Sequence, residues 1–323
     1  MVNAGPAEKL SLAASSPSDL LADIRRRDSE RVAADAQLPL WPEPVRGVPN
    51  GVLRSALFAA VRRGKRRYME RAAITSVKGV SILYTGPQLY QSDLDVWEGA
   101  LHLARLFKLG DRVEFKEKAF LRLIGRGGQN GENLGTGDRA WLRKTLARLS
   151  ATNIEIAQGP YAYGGSLIDE YFRDENSGRY VVILNPRMRV MFGRDNWTQL
   201  DWNIRHALLG HPLAQWLHGY FSSHASPFPI KVETLHSLCG SETGEGAKTE
   251  AMRSKALLGW RDYSLVPALK TLAHVSSQAG QPFTWEINAG LVSVTKRPSI
   301  SKQRCHQGQS VQQHEEEDRP WRY

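Results

Sequence analysis

Cysteine is almost missing from this chain of 323 residues, with Cys239 and Cys305 the only two. One possible bridge in so long a chain is no disulfide framework, and without a CxxC pair or a Cys/His cluster a structural zinc site is not expected. Acidic side chains are in deficit as well, 33 against 43 Lys and Arg, which gives a formal net charge of +10. That excess suits a polyanion such as nucleic acid or an anionic membrane surface, although a basic soluble enzyme would share it. No stretch approaches the ~20 apolar residues of a membrane span, and the N-terminus has no basic segment followed by an apolar run. The expectation is a reduced, soluble, cytoplasmic protein with no membrane partner.

Catalytic signatures are scarce too. The histidines form no HxH or HExxH pattern, His206 and His211 being five apart, and there is no GxSxG. The run Gly125-Arg126-Gly127-Gly128-Gln129-Asn130-Gly131 lacks the GK[ST] ending of a phosphate loop and follows a helix rather than a strand. It reads as a long turn. The chain is therefore expected to be no enzyme and to need neither cofactor nor metal, which leaves a nicking or relaxing enzyme as a poorly supported rival.

Residues 1–36 and 299–323 are polar and low in aromatic content, so both ends are expected to be flexible, with at most a short helix over Asp19–Arg27. Residues 37–70 form a Pro-rich strip followed by a basic linker. Between the ends one pattern runs twice, in domains of 71–195 and 196–298. In the first, strands at 73–77 and 80–84 turn at Lys78-Gly79. A helix follows with Ser92 and Asp95 as its capping box and Leu94, Trp97, Leu101 and Ala104 on one face. Then come a strand at Val113–Phe115, helices over 117–124 and 138–149, and strands at 154–157 and 180–184 around a mobile segment. In the second, a helix over 213–221 precedes a strand at 228–232, a helix at 234–239, another ending near Val275, and a hairpin of 283–287 and 291–295 over Asn288-Ala289-Gly290. Helix, strand, helix, turn, helix and hairpin is the order of a winged helix-turn-helix. The predicted fold is α+β, two tandem winged-helix domains with flexible ends.

A helix lodged in a major groove needs one face anchored on its domain and another offering cations to phosphates and guanine edges. Between 138 and 149, Leu142, Thr145, Leu146 and Leu149 supply the first, Lys144 and Arg148 lie opposite, and Arg139 and Arg143 flank. A solvated basic face has the same pattern, but the helix, turn and hairpin around it favour groove binding. In the second domain Leu265, Ala268, Leu269 and Leu272 share a face. Extending that helix backwards puts Arg261 on the apolar side, and Pro267 fits best in a first turn. Either the helix starts near Ser264, with Arg253, Lys255 and Arg261 at its mouth, or it starts earlier and bends at Pro267. Arg62-Arg63-Gly64-Lys65-Arg66-Arg67 is the densest basic run, an arm along phosphates or merely an exposed charge run. Lys296 and Arg297 close the second hairpin, where a wing would meet the backbone. Gln37, Leu38, Leu40 and Trp41, on a strip stiffened by Pro39, resemble the peptides with which bacterial replication proteins dock on the sliding clamp; a linker packed on its own domain is the alternative.

Longer matches point to one family. Trp41-Pro42-Glu43, Arg46, Pro49-Asn50 and Arg54-Ser55-Ala56-Leu57-Phe58 follow a "WPD…R…PN…RSALF" segment. Tyr84-Thr85-Gly86 with Leu89 follows a "YTG.EL" turn, and Leu146, Arg148-Leu149 and Ala151-Thr152 follow "LSRLQAT". Tyr220-Phe221-Ser222-Ser223-His224, Pro227, Pro229, Lys231, Glu233-Thr234 and Leu238-Cys239-Gly240-Ser241 follow "YFSSH…P.P.K.ET…LCGS", and Trp260-Arg261 comes next. The chain thus resembles the TrfA family of plasmid replication initiators. The resemblance implies two winged-helix domains, binding to origin repeats (iterons) in double-stranded plasmid DNA, local strand opening, recruitment of host sliding clamp, initiator and replicative helicase, and a homodimer in balance with monomer. The alternative is a winged-helix transcriptional repressor that does not melt an origin.

Overall fold

Pro42, Pro44 and Pro49 oppose helix, and the extended backbone they favour becomes a strand within the core. The computed structural model of the chain describes residues 37–61, 66–128, 133–159, 161–193 and 196–297. The expected helix over 19–27 and the tail from 299 fall outside these residues, as do Arg62, Arg63 and Lys65. Strand β1 (Val45–Pro49) is followed by a helical turn α1 (Asn50–Leu53) and by β2 (Phe58–Ala59). Leu38, Trp41, Val48, Val52, Leu53, Leu57 and Phe58 all enter the first hydrophobic core, so the strip and the start of the linker are built into the first unit.

A hairpin of β3 (Tyr68–Ala73) and β4 (Val80–Pro87) comes next. Its first strand lies earlier than the expected 73–77. A bulge between Met69 and Ala72, with Arg71 at a φ of 44°, offsets the register, and Ser76 instead bridges to Ser55. Strand β5 (Leu89–Tyr90) pairs parallel with β2 and leads into α2 (Gln91–Ala104). Asp93 closes that helix by accepting the Tyr90 N–H at 2.8 Å, in place of the expected Ser92–Asp95 box. Then follow β6 (Val113–Lys116), α3 (Glu117–Leu123), α4 (Thr136–Ser150), β7 (Asn153–Gln158), β8 (Tyr161–Gly165), β9 (Glu170–Asp174), β10 (Arg179–Ile183), a 3-10 stretch Pro186–Phe192, and β11 (Trp197–Asp201), which pairs with β1. The segment expected to be mobile between 157 and 180 holds two strands, because Tyr163, Leu167 and Ile168 are drawn into the core.

The second unit runs through α5 (Trp202–Ala207), α6 (Pro212–Ser222), β12 (Ile230–Lys231), α7 (Val232–Leu238), α8 (Glu250–Trp260), a π turn (Arg261–Leu265), α9 (Val266–Gln278), β13 (Phe283–Asn288) and β14 (Leu291–Lys296). Ala289 and Gly290 both have positive φ, 49° and 77°, which suits the twist of a two-residue hairpin. Helix α8 starts at Glu250, where the Thr249 hydroxyl accepts the Met252 N–H at 3.2 Å. The start near Ser264 is therefore corrected to the earlier start with a deformation before Pro267. Proline has no N–H for the carbonyl four residues back, and a π turn absorbs the mismatch. It also lets Trp260 and Leu265, five apart, both face the core, which frees Arg261 from the apolar side.

The two units share a connectivity. In each, a helix precedes a short strand, further helices and a closing hairpin, and that strand pairs with the last: β6-β10-β9 in one, where β7 and β8 come before the hairpin, and β12-β14-β13 in the other, where α8, the π turn and α9 run on as one bent helix. The β3-β4-β7-β8 sheet is peculiar to the first. The units meet tightly. Gly125, at a φ of 79°, ends α3, and a Cβ there would lie 1.9 Å from the His206 ring of α5. Gly125→Ala should therefore cost more than the ~1–3 kcal/mol of a left-handed non-glycine residue. Thermal unfolding followed by circular dichroism tests this, and an unchanged midpoint would refute the contact.

Candidate nucleic-acid interface

On α4 the apolar stripe behaves as its spacing requires: Leu142, Thr145, Leu146 and Leu149 are buried. Arg143 and Lys144 are exposed. Arg139 is turned toward the Glu117 carboxylate on α3, at 3.6 Å. Arg148 does not face outward. Its guanidinium, 17% exposed, donates to Asp93 at 2.7 Å and to the Thr145 hydroxyl at 2.7 Å. A wheel position about 110° from the stripe centre can be taken inward when a buried carboxylate waits there. Before α4, Arg126 lies over the Trp141 ring at 3.4 Å and pairs with Asp138 at 2.8 Å. The tip of the β9–β10 hairpin carries Asp174 and Glu175, while on the helices exposed Lys118 joins Arg143 and Lys144.

The second unit presents Arg253 and Lys255 on α8, both exposed, with Glu250 3.8 Å from Arg253. Arg261 lies beyond the C-terminal end of α8, not at its mouth, and is bound to Asp262 at 2.7 Å. Lys296 and Arg297 stand at the end of the β13–β14 hairpin opposite its Ala289-Gly290 tip. Lys296 is half-buried, and burial pushes its ammonium down to about 8. Neither residue is placed where the hairpin tip would meet a nucleic-acid backbone.

The basic run divides as well. Arg66 is held between Asp93 (2.6 Å) and the face of Tyr90 (3.9 Å). Arg67 reaches Glu242 at 2.7 Å and Glu245 at 3.3 Å in the second unit. Asp93 thus takes Arg66 and Arg148 together, which removes two of the expected DNA contacts from the surface. In the strip, Leu38 and Trp41 are buried, whereas Gln37, whose backbone bridges to Lys108, and Leu40, 67% exposed, present their side chains to solvent.

A polar cluster absent from the sequence expectations joins the units. Along α2, Gln91, Asp95, Glu98, His102 and Arg105 recur at spacings of four and three, and all are buried. Arg205 of α5 enters this stripe, its Nε 2.8 Å from both Asp95 Oδ1 and Glu98 Oε2. The single Nε–H is directed at Asp95, and neither Glu98 oxygen receives a hydrogen bond among the described residues. Burial raises the Asp95 carboxyl, and burial with the Asp95 charge pushes Glu98 up to about 7. Arg46, over the Trp202 ring at 4.3 Å, is lowered by burial to about 10 and stays charged at neutral pH. The alternation of polar and apolar stripes on α2 was visible in the sequence, but a polar stripe normally faces water. Among the described residues there is no cluster of three potential metal ligands, and no helix is long and apolar enough to cross a membrane.

Residues 7–269 match the family described as TrfA protein. The "Plasmid replication initiator protein TrfA" of Escherichia coli is 29% identical over 211 residues, which are 63% of this chain and 53% of that protein, so the chain spans about half the length of the relative it matches. Two crystal structures of domains 2 and 3 of RctB align at 12% identity. One has a TM-score of 0.49 and covers 78% of this chain and 99% of the other; the second has a TM-score of 0.43, with 77% and 97%.

Proposed function

The chain belongs to the TrfA protein family, and from that premise we propose that it initiates plasmid replication by binding repeated sites in double-stranded origin DNA through two winged-helix modules. The observation that carries the proposal is a three-stranded sheet found twice, in which the short strand before the helices pairs with the last strand of the unit. In each module the second of those helices, α4 or α8, is the element for the major groove. Arg143 and Lys144 in the first module, and Arg253 and Lys255 in the second, are its reading and phosphate-contacting residues. Binding is non-catalytic, and strand opening follows from it. Recruitment of host sliding clamp, initiator and replicative helicase, and a balance between monomer and homodimer, complete the proposal on the strength of family membership. Docking of Gln37–Trp41 on the clamp would require Leu38 and Trp41 to leave the core, since both are buried.

Footprinting of the purified protein on its own replicon tests the binding, with protection expected in evenly spaced repeats. Unwinding of supercoiled origin DNA separates an initiator from a repressor, which binds without melting. Nicked product in the presence of a divalent metal would overturn the non-catalytic reading. Among variants, Arg143→Ala should cost about 1–3 kcal/mol of specific binding if it reads a guanine. Lys144→Ala should weaken all sequences alike and reduce the salt slope by roughly one. Arg148→Ala should act differently, lowering the unfolding midpoint through loss of its bond to buried Asp93. A full loss of DNA affinity in a well-folded Arg148→Ala protein would return that residue to the interface.

A further inference from the structure

Strand β3 is an edge of the four-stranded sheet, and its outer side is only partly used. The Ile74 N–H donates to the Ile82 carbonyl at 2.9 Å, and Ala73 stands opposite Leu83 in the register. In an antiparallel ladder hydrogen-bonded and open pairs alternate, so the N–H and C=O of Ala73 point away from β4. One step on, the same edge already accepts a partner: the Ala56 N–H donates to Thr75 O at 2.8 Å, and Val77 N–H donates to Arg54 O at 3.2 Å. The pairing ends there, and beyond it lies a cleft of about 920 Å³ between β3 and the helices α7 and α8.

The charge of this cleft runs against the rest of the chain. Glu70, Glu233, Glu245 and Glu250 line it against Arg67 and Arg253, whereas the whole chain is +10. Glu245 and Glu250 are taken up by those two arginines. Glu70 and Glu233 have no ion pair among the described residues, one on the edge strand and one on the facing helix. A bulge and a charged pair, Glu70-Arg71, guard the start of β3 against indiscriminate pairing.

We propose that this cleft receives an extended peptide with lysine or arginine at alternate positions, added as a strand to β3 and held by Glu70 and Glu233. Main-chain bonds to Ala73 would give affinity, and the two carboxylates would select charge, the division of labour expected in strand addition. A cleft that were merely a solvated gap would show no such preference, and the positive charge of the chain as a whole opposes adventitious binding of a basic peptide.

The test uses the full chain and a fluorescein-labelled eight-residue peptide of alternating Lys and Val, followed by fluorescence anisotropy. Saturable binding is expected. The same peptide N-methylated at alternate amides, and a Glu/Val counterpart, should each bind at least roughly tenfold more weakly. Ala73→Pro removes the outward donor without touching the ladder to β4 and should abolish binding, while Ala73→Ser retains it. Glu70→Gln with Glu233→Gln, both at exposed positions, should weaken binding about tenfold and keeps the test intact if the proline variant fails to fold. Indifference to N-methylation overturns strand addition, and equal binding of the Glu/Val peptide overturns the charge selection. Self-association in sedimentation that Ala73→Pro abolishes would give the cleft to a second copy of the chain instead.

Discussion

Arg205→Met should destabilise the protein by about 3–5 kcal/mol at pH 8, and by less at pH 5. Arg205 is 1% exposed and is the cation directly between Asp95 and Glu98. Removing one partner of a buried ionic cluster leaves the others desolvated and unpaired, which costs far more than the pair itself contributes. The pH dependence has a definite sign. Burial pushes Glu98 up to about 7 from the 4.5 of an exposed glutamate, so the folded state holds extra protons between those values. The stabilisation linked to that proton is full below about 4.5 and is lost as pH rises through about 7. Without Arg205 both carboxyls would be held protonated to higher pH, and the penalty of the variant grows over that range. Urea unfolding at the two pH values measures it. Adding Asp95→Asn and Glu98→Gln to Arg205→Met should return most of the loss at pH 8. If the triple variant is as unstable as the single one, unpaired charge is not the cause.

The same cluster marks the limit of what the sequence makes legible. Periodicity finds helices and their apolar sides well: Leu142, Leu146 and Leu149 on α4, and Leu269 and Leu272 on α9, are buried where their spacing puts them. The α+β class and the last hairpin follow from such signals. What periodicity lacks is knowledge of the second neighbour. Helix α2 is packed on two sides, so its polar stripe is interior, and Arg205 reaches it from the first helix of the second unit. Arg148 and Lys144 are equally basic and sit four positions apart, yet only Arg148 finds a buried carboxylate. That difference depends on Asp93, 55 residues away. The helix through Pro267 was ambiguous for a related reason. A single register cannot place Trp260, Leu265 and Leu269 on one side, and a π turn resolves the conflict by adding a residue to one turn.

Trp41→Ala should lower stability by about 3–5 kcal/mol, the range for removing a large buried aromatic side chain. The indole is 4% exposed, stacks on Phe192 at 6.1 Å and lies 5.8 Å from Trp197. Its Nε1–H donates to His102 Nδ1 at 3.1 Å, and the other ring nitrogen of His102 is 2.8 Å from Glu43 Oε2. An Nδ1 that accepts leaves the proton on Nε2, where it donates to Glu43, so the imidazole is neutral. Burial, with Arg46 and Arg105 nearby, holds His102 down to about 4 despite Glu43. Hydrogen bonds from His102 and Arg105 hold Glu43 at about 2. Both shifts act in the same direction. The unfolded chain binds more protons from about 6.5 to 4 through His102, and from about 4.5 to 2 through Glu43, so stability falls as pH drops through these windows. Trp41→Phe keeps most of the ring packing but removes the donor to Nδ1, which opens that nitrogen to a proton. Its expected signature is a His102 titration moved upward, read by NMR, with a milder loss of stability than Trp41→Ala. A small loss in Trp41→Ala at neutral pH, or a His102 titration unmoved by Trp41→Phe, would mean that residues 37–41 are only loosely laid on the first unit. In that case the strip would be available to a partner without unfolding any of the core.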